Sequence, residues 1–205
     1  MISGSAIAGK PSDLTVVGIM TQMQTIEVPQ LETERLILRS LTQQDFEDYA
    51  GIFTDPEVML YIGEGKPVSR LDAWRQMAAM IGHWALRGYG LWAVEEKASG
   101  KLIGRVGFFN PETWPGFELG WALAREKWGK GYATEAAQRA LAYGFDEMKR
   151  DEVISLIDPN NQASIKVAER LGETHKGETE LFGHEVLIYG ITRAEWEASP
   201  ASSLR

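Results

Sequence analysis

Residues 117–137 have the types and spacing of an anion-binding site. An apolar strand predicted at 117–123 leads into a loop with two glycines, Gly129 and Gly131, and a long amphipathic helix follows directly. The first backbone N–H groups of a helix have no intrahelical acceptor, and the helix dipole makes that end partly positive. Glycine lets the backbone approach a ligand with no Cβ in the way. The segment predicts a cradle for a pyrophosphate, although the glycines alone also fit a plain strand-to-helix turn.

The spacing excludes one common phosphate-binding loop and fits a second one poorly. A P-loop requires a lysine followed by Ser or Thr after its second glycine, whereas Lys130 lies between the glycines here and Tyr132 follows them. The Rossmann pattern G-x-G-x-x-G does not follow the strand either. The phosphate-bearing cofactor that still suits a strand, a loop and a helix in this order is coenzyme A.

The loop resembles the acyl-CoA loop of the GNAT superfamily of N-acetyltransferases, whose general pattern is Q/R-x-x-G-x-G/A. Gly131, Tyr132 and Ala133 match its G-x-A. Trp128 replaces the usual Gln or Arg, but Trp at this place is common in the Rim-type branch, which acetylates the N-terminal amines of ribosomal proteins. Residues 158–164 are similar to the N-x-x-S helix start of that branch.

The resemblance extends over residues 31–197, in the right order. Residues 31–39 look like the first strand of the branch, 55–59 like its early helix turn and 189–196 like its closing strand and cap. The family usually has Phe where this chain has Glu173, a departure expected to weaken the packing of that turn. The resemblance implies a mixed α/β fold, the GNAT fold. In this fold the central sheet is mixed, with antiparallel and parallel strand pairs. Two central strands splay apart, and helices cover both faces.

The resemblance also implies the activity and the site. An N-acetyltransferase of this family, an acyltransferase, moves an acetyl group from acetyl-CoA to a primary amine by direct attack in a ternary complex. The pantetheine arm lies between the splayed strands, and the amide after Gly120 lies near the thioester carbonyl. The cofactor-binding residues implied lie on the splayed strand, in the cradle and at the next helix start: Trp121, Ala122, Leu123, Trp128, Gly129, Lys130, Gly131, Tyr132, Ala133, Thr134, Asn161 and Ser164.

Two residues are candidates for catalysis. Glu118 lies on the strand face opposite Leu119, where the family often has a Glu that removes the amine proton, directly or through a water. The alternative is a solvated carboxylate on an exposed face. In the resemblance, Ser164 gives the departing thiolate a proton; alternatively it is a polar surface residue and Asn161 only an N-cap. The side chains of Trp121 and Leu123 are interpreted as core.

The remaining polar residues give weaker signals. Arg125, Lys127 and Lys130 surround the loop, and Lys130 is the first choice for a phosphate because it lies inside the cradle. The three histidines lack metal-ligand spacing and are interpreted as structural or surface residues, so no metal is expected. The acceptor amine is expected between the first two helices and a late hairpin, where six aromatic residues offer walls, although most are expected in the core: Tyr61, Trp74, Trp84, Trp92, Trp114 and Phe182.

Composition bounds the other possibilities. The 205 residues suit one domain, and the 44% hydrophobic content is ordinary for a globular protein. A net charge of −8 argues against nucleic acid, and no apolar run reaches the roughly 18 residues of a membrane helix. No cysteine is present to act as a nucleophile. We expect a cytoplasmic enzyme, a monomer or a homodimer, with a flexible extension or start-site artefact at 1–30, the GNAT domain at 31–197 and a tail at 198–205.

The hydrophobic pattern predicts where the elements lie. Helices are predicted from about 42 to 53, from Ser69 to near Gly88, from 133 to 148 and from 161 to 171. Strands are predicted at 36–41, 90–95, 101–109, 117–123, 152–157, 173–179 and 185–191. This order favours a mixed sheet, antiparallel first and parallel at the centre. Two other functions stay open: a CoA-binding sensor or partner module that has lost catalysis, and an unrelated α/β domain whose loop is only a turn.

Overall fold

The computed structural model describes residues 27–199, so most of the predicted N-terminal extension and C-terminal tail lie outside the described residues. Eight strands form one sheet: β1 (Leu31–Glu32), β2 (Leu36–Arg39), β3 (Leu91–Glu96), β4 (Lys101–Phe109), β5 (Glu118–Leu123), β6 (Glu152–Ile157), β7 (Thr174–Leu181) and β8 (His184–Thr192). Six α-helices connect or flank them: α1 (Phe46–Phe53), α2 (Pro56–Met59), α3 (Arg70–Arg87), α4 (Tyr132–Asp146), α5 (Gln162–Leu171) and α6 (Arg193–Ala198).

The strand order is β1-β2-β3-β4-β5-β6-β8-β7. Strands β1 to β5 pair antiparallel in sequence order, β5 and β6 pair parallel, and β6, β8 and β7 pair antiparallel again. The parallel pair is central, as predicted, because the α4 connection carries the chain from the end of β5 back to the start of β6. The mixed sheet with helices on both faces is confirmed.

Local sequence signals fix the helix ends. Ser69 caps α3 by accepting a hydrogen bond from the amide of Asp72, and Gly88 ends it with φ +74°, both at the predicted places. The short strand β1 and the helix α6 were not resolved as separate elements by the hydrophobic pattern. A turn at Thr33, whose amide donates to the carbonyl of Leu36, divides the predicted first strand into β1 and β2.

Two hydrophobic clusters cover the two faces of the sheet. On one face, α4 packs through alanines that are fully buried, including Ala136, Ala137 and Ala140, against Leu119 of β5. On the other face, α1 and α3 pack against Ala122 of β5. Small side chains let α4 lie close to the sheet, and the start of α4 is thereby held above the end of β5.

The sheet opens at its centre. Strands β5 and β6 are both six residues long, yet they pair only at Glu118 and Ile154, next to a bond from the amide of Ile154 to the carbonyl of Phe117. Beyond this point the strands separate, whereas β4 and β5 stay paired from Glu118 to Leu123. The predicted splay is therefore present, and it opens beneath the start of α4.

Candidate active site

The loop before α4 has the conformation of an anion cradle. Gly129 and Gly131 have φ of +71° and +80°, which a residue with a Cβ rarely adopts, and Gly131 is the N-cap of α4. Within residues 27–199, no backbone carbonyl accepts from the amides of residues 129–134. The amide of Trp128 donates to the carbonyl of Arg125, 3.1 Å away, so it is already hydrogen-bonded within the protein and is not part of the cradle.

Arg35 holds the cradle loop from behind. Its guanidinium donates to the Lys130 carbonyl at 3.0 Å and forms an ion pair with Glu135 of α4, with Nε 2.6 Å from Oε2. The same guanidinium lies over the ring of Tyr132, 4.3 Å from its centroid. Glu135 also accepts from the hydroxyl of Thr33 at 2.5 Å. The turn between β1 and β2 thus fixes both the loop carbonyl and the first turn of α4.

A second clamp comes from the end of β3. Glu96 accepts hydrogen bonds from Lys127 (2.7 Å), Ser99 (2.6 Å) and the hydroxyl of Tyr132 (2.8 Å). These three donors, Lys127 first, lower the pKa of Glu96 to about 2, so it stays ionised at any physiological pH. Lys127 and Arg125, which pairs with Asp55 at 3.1 Å, are both engaged by carboxylates. Of the three basic residues predicted near the loop, Lys130 alone has no ion pair among residues 27–199.

The backbone of β5 alternates between its two neighbours. The amide of Ala124 donates to the carbonyl of Ile103 at 2.8 Å, so the backbone groups of Ala124 face β4. Because these groups alternate along a strand, those of Ala122 also face β4. Because Ala122 pairs with Arg105, its backbone is directed toward β4, and Ala122 can contribute to cofactor binding through its side chain rather than through a main-chain bond. Leu119, Trp121 and Leu123 instead direct their backbone groups into the splay.

Two of these outward carbonyls already have partners. The indole N–H of Trp128 donates to the Leu123 carbonyl at 2.9 Å, and the hydroxyl of Ser155 donates to the Leu119 carbonyl at 2.9 Å. The N–H and C=O of Trp121 and the N–H of Leu123 are therefore the main-chain groups that the splay presents to a ligand. The predicted roles of Trp121 and Leu123 fit this geometry.

A groove of about 1250 Å³ runs from the cradle through the splay. It is lined from both faces of the sheet, by Tyr61 and Ala122 on one side and Ala133 and Val167 on the other. Three cations that the sequence did not single out line it as well: Arg139, Lys166 and Arg170. The four-residue spacing of Lys166 and Arg170 on α5 is the signal that would have placed them on one helix face.

Asn161 and Ser164 meet at the start of α5, on the wall of the groove. The side-chain oxygen of Asn161 accepts from the Ser164 amide at 3.1 Å, so Asn161 is an N-cap, the alternative that the sequence left open. The cap uses only the side-chain oxygen of Asn161, so its side-chain NH₂ can still donate a hydrogen bond to a ligand. The hydroxyl of Ser164 accepts from the indole of Trp121 at 3.3 Å and so keeps its own proton to donate.

Glu118 is not a solvated surface carboxylate. Its carboxyl accepts from the indole of Trp114 at 2.6 Å and from the backbone N–H of Leu156, across the splay on β6. Burial raises the pKa of Glu118 to about 7, against the opposite effects of Trp114, of the charge of Arg105 and of the Leu156 amide. Glu118 lies outside the lining of the cofactor-sized groove, on the sheet face of α1 and α3. It can therefore exchange a proton near pH 7 from the side opposite the groove.

Aromatic residues approach Glu118 from two elements. Trp114 contacts Phe109 of β4 edge-on, with ring centroids 5.1 Å apart, and Phe182 at the tip of the β7–β8 hairpin, 6.0 Å away. Phe182 is 58% exposed. The hairpin thus approaches Glu118, at the place where the resemblance predicts a wall for the acceptor. Trp84 and Trp92 are core residues, but Tyr61, Trp74 and Phe182 are exposed. The expectation that most of the aromatic set lies in the core is therefore wrong.

Comparison with known proteins identifies the family. The model of the GNAT acetyltransferase domain matches residues 35–174. The chain belongs to the GNAT acetyltransferase family. It is 35% identical over 167 residues to the uncharacterized protein YkkB of Bacillus subtilis, covering 78% of this chain and 93% of YkkB. It is also 32% identical to the uncharacterized N-acetyltransferase p20 of Bacillus licheniformis, over 72% of this chain and 83% of p20.

A solved structure agrees with this membership. The acetyltransferase of Agrobacterium tumefaciens superimposes with a TM-score of 0.72 and 30% identity, over 82% of this chain and 96% of that one. This GNAT protein is thus an acyltransferase that uses acetyl-CoA. The open amides of residues 129–134, the left-handed glycines and the outward backbone of Trp121 suit a diphosphate joined to an amide-bearing arm.

The described part of this acetyltransferase shows neither a metal cluster nor a membrane-spanning helix. No three His, Cys, Asp or Glu side chains gather into a potential metal group within residues 27–199. His83 uses both ring nitrogens internally, Nδ1 with the Tyr89 carbonyl and Nε2 with the Asn110 amide. Over the same range, no helix is long and apolar enough to cross a bilayer.

Proposed function

We propose that this acetyltransferase moves the acetyl group of acetyl-CoA to a primary amine by direct attack, with both substrates bound together. The observation that supports it most is the line of amides from Gly129 to Thr134, which have no carbonyl partner among residues 27–199 and open into the splay opposite Glu118. These amides and the N-terminal dipole of α4 would hold the diphosphate. Trp121, Leu123 and the side-chain NH₂ of Asn161 would hold the pantetheine arm.

Glu118 is the general base in this proposal. An α-amine with a pKa near 8 is only about one-tenth unprotonated at pH 7, so a base that accepts its proton raises the attacking fraction. A carboxyl with a pKa of about 7 is ionised at slightly alkaline pH and binds a proton more readily than an ordinary Glu. Trp114 and Leu156 orient that carboxyl at the splay.

The backbone and Ser164 complete the chemistry. Acetyl-CoA supplies the acetyl group as a thioester. The N–H of Trp121 lies in the splay, where it would donate to the thioester oxygen as charge develops there, worth about 3–4 kcal/mol per donor in other enzymes. Ser164 would give its proton to the departing sulfur, because its oxygen is already hydrogen-bonded by Trp121.

We infer a cationic acceptor, either a protein N-terminus, as in the Rim-type branch, or a small amine, in a cytoplasmic setting. The net charge of −8 would attract a cation. Trp114 and Phe182 form an aromatic wall beside Glu118, and aromatic faces bind cations as well as apolar groups.

The test is release of free CoA thiol from acetyl-CoA in the presence of an amine panel. The panel contains short peptides beginning with Ala, Ser or Met, the same peptides with blocked N-termini, and small polyamines. Thiol release with an unblocked amine, together with the acetylated product by mass spectrometry, supports the proposal. Binding of acetyl-CoA without thiol release for any amine would instead indicate a CoA-binding sensor. Absence of acetyl-CoA binding would count against both the acetyltransferase and the sensor.

A further inference from the structure

Glu173 is a buried carboxyl that the proposed reaction does not use. It follows Gly172 at the end of α5, where its amide donates to the Ala168 carbonyl at 3.0 Å and closes the helix. The residue that follows a left-handed glycine at the end of a helix usually makes an apolar contact with the last turn of that helix. Glu173 is only 2% exposed, so its carboxyl lies in the core rather than at the surface, and the departure from an apolar residue needs a physical reason.

The contacts of Ser155 determine which group carries the proton. Its Oγ lies 2.9 Å from the Leu119 carbonyl oxygen and 3.0 Å from Oε1 of Glu173. A hydroxyl has one proton, and the Leu119 carbonyl can only accept. If Ser155 donates to Leu119, its contact with Glu173 is attractive only when Glu173 itself carries a proton and donates it to Ser155.

The second oxygen of Glu173 supports the same assignment. Oε2 is buried and has no hydrogen-bond partner among residues 27–199. An ionised carboxylate with one unpartnered buried oxygen is far more costly than a neutral acid with an unpartnered carbonyl oxygen. Burial raises the pKa of Glu173 to about 8, the Ser155 contact acts in the opposite direction, and the charge of Glu118 raises it further.

The chain Glu173–Ser155–Leu119 ends where the sheet opens. Leu119 follows Glu118, at which β5 and β6 make their single pairing, and Ser155 follows the partner residue Ile154. Beyond that pairing, the Ser155 hydroxyl takes the place of the missing β6 amide as donor to the Leu119 carbonyl. Glu173 lies on the α4 and α5 face of this point and Glu118 on the opposite face.

We propose that Glu173 is a positioning residue for acetyl transfer: as a neutral acid it orients Ser155, and through Ser155 it fixes the β5 backbone at the base of the splay next to Glu118. This inference depends on the proposed function of Glu118. The groups that face the two carboxyls are Arg105 from β4, Trp114 from the loop before β5, and the Leu156 amide and Ser155 from β6. Ionisation of Glu173 removes the proton donated to Ser155 and places a second negative charge near Glu118.

The experiment compares the pH dependence of kcat/KM in the full-length wild type and in two variants. Glu173→Gln keeps a donor for Ser155 and cannot ionise, whereas Glu173→Met fills a similar volume without a donor. The wild-type rate should rise through about pH 7 and fall again above about pH 8, to roughly one-tenth one unit higher. The Gln variant should match the wild type near pH 7.5 and lose the alkaline fall.

The Met variant should lower kcat about five- to tenfold with little change in the KM for acetyl-CoA, since it removes one oriented hydrogen bond. Ser155→Ala should reproduce this loss, and combining it with Glu173→Met should add little. An unchanged alkaline fall in Glu173→Gln, or full activity of Glu173→Met at every pH, would overturn the proposal.

A second measurement does not require turnover. NMR of isotope-labelled Glu side-chain carboxyls in the wild type, with Glu173→Gln for assignment, should show one resonance that titrates above pH 7 and disappears in the variant. A Glu173 resonance that titrates near an ordinary Glu value contradicts the proposal even if the protein proves inactive. Inactivity of the wild type with every amine, by contrast, counts against the proposed function and not against the neutral acid.

Discussion

The two sides of the candidate site are built from different kinds of groups. On the cofactor side, the cradle consists of main-chain amides from Gly129 to Thr134, held from behind by Arg35 and Glu96. On the side proposed for proton transfer, the groups are two carboxyls, Glu118 and Glu173, whose pKa values are raised by burial. Most substitutions leave a backbone amide in place, and the amide does not titrate. Ligand binding on the first side should therefore change little with pH and should be lost when the cradle is obstructed. The second side should respond to pH and to the loss of an ionisable or hydrogen-bonding group.

The largest effect should come from obstructing the cradle. Gly131→Glu places a Cβ at a φ of +80° and a carboxylate among amides that are expected to bind a diphosphate. Like charges about 4 Å apart near a protein surface repel by about 4 kcal/mol, so acetyl-CoA affinity should fall about a thousandfold, as measured by calorimetry.

The matched control is Gly88→Glu. Gly88 also has a left-handed φ, +74°, and a Cβ there meets nothing within 4 Å. It ends α3, outside the groove lining. Retained affinity in this control shows that the loss at Gly131 is local. Equal losses in the two variants would mean that the cradle has no special part in binding.

On the carboxylate side, Glu118→Gln should lower kcat/KM about a hundredfold at pH 8 and leave acetyl-CoA affinity nearly unchanged. The sign follows from the raised pKa: wild-type Glu118 is ionised and active above about pH 7 and protonated below it. The two rate profiles should therefore converge below about pH 6. Glu112→Gln, whose side chain is 93% exposed, is the control. A constant ratio across pH would remove Glu118 as the base.

This contrast also explains what the sequence could predict. The cradle depends on consecutive residues, two glycines and a helix start, so its position was readable from local patterns together with the family resemblance. The availability of each amide was not readable, because the Trp128 amide is taken by Arg125 in a short turn. Nor was the orientation of Ala122 toward β4, since alternation along a strand fixes faces only after the pairing is known.

The carboxyl pair was harder to predict because it depends on contacts between distant residues. Glu118 was predicted as a candidate base, but its raised pKa comes from burial and from neighbours on other strands. For Glu173, the sequence indicates only a departure from the usual Phe that is expected to weaken the packing of a turn. Its actual partner, Ser155, lies 18 residues away in the chain and on a strand. The signal available was a carboxyl at a position where helix ends normally bury an apolar side chain.

A smaller effect concerns the free energy of unfolding, which the buried Glu173 should lower at neutral pH. Its folded pKa of about 8 exceeds its ordinary 4.5, so between these values the folded protein holds a proton that the unfolded chain has released. Stability is therefore lost as pH rises through this window. Glu173→Gln carries no such proton and should be more stable than the wild type by up to roughly 3 kcal/mol at pH 7 and under about 1 kcal/mol at pH 5.

Urea unfolding at the two pH values measures this difference. The exposed Glu169→Gln on α5 is the control and should show no pH-dependent gain. A gain that does not change with pH would mean that Glu173 is ionised in the folded protein at both values.

The smallest effect should come from Ser164→Ala. A thiol leaving group with a pKa near 8.5 can depart as a thiolate at modest cost, so losing its proton donor should lower kcat only about tenfold. Acetyl-CoA affinity should stay nearly intact, because the Asn161 cap and the cradle amides are unaltered. Trp121→Phe removes the indole that donates to Ser164 but keeps the hydroxyl, and should cost less. Normal turnover in Ser164→Ala would mean that the thiolate departs without a proton from Ser164, and the Trp121 N–H would then be the remaining group proposed for the chemistry on the cofactor side.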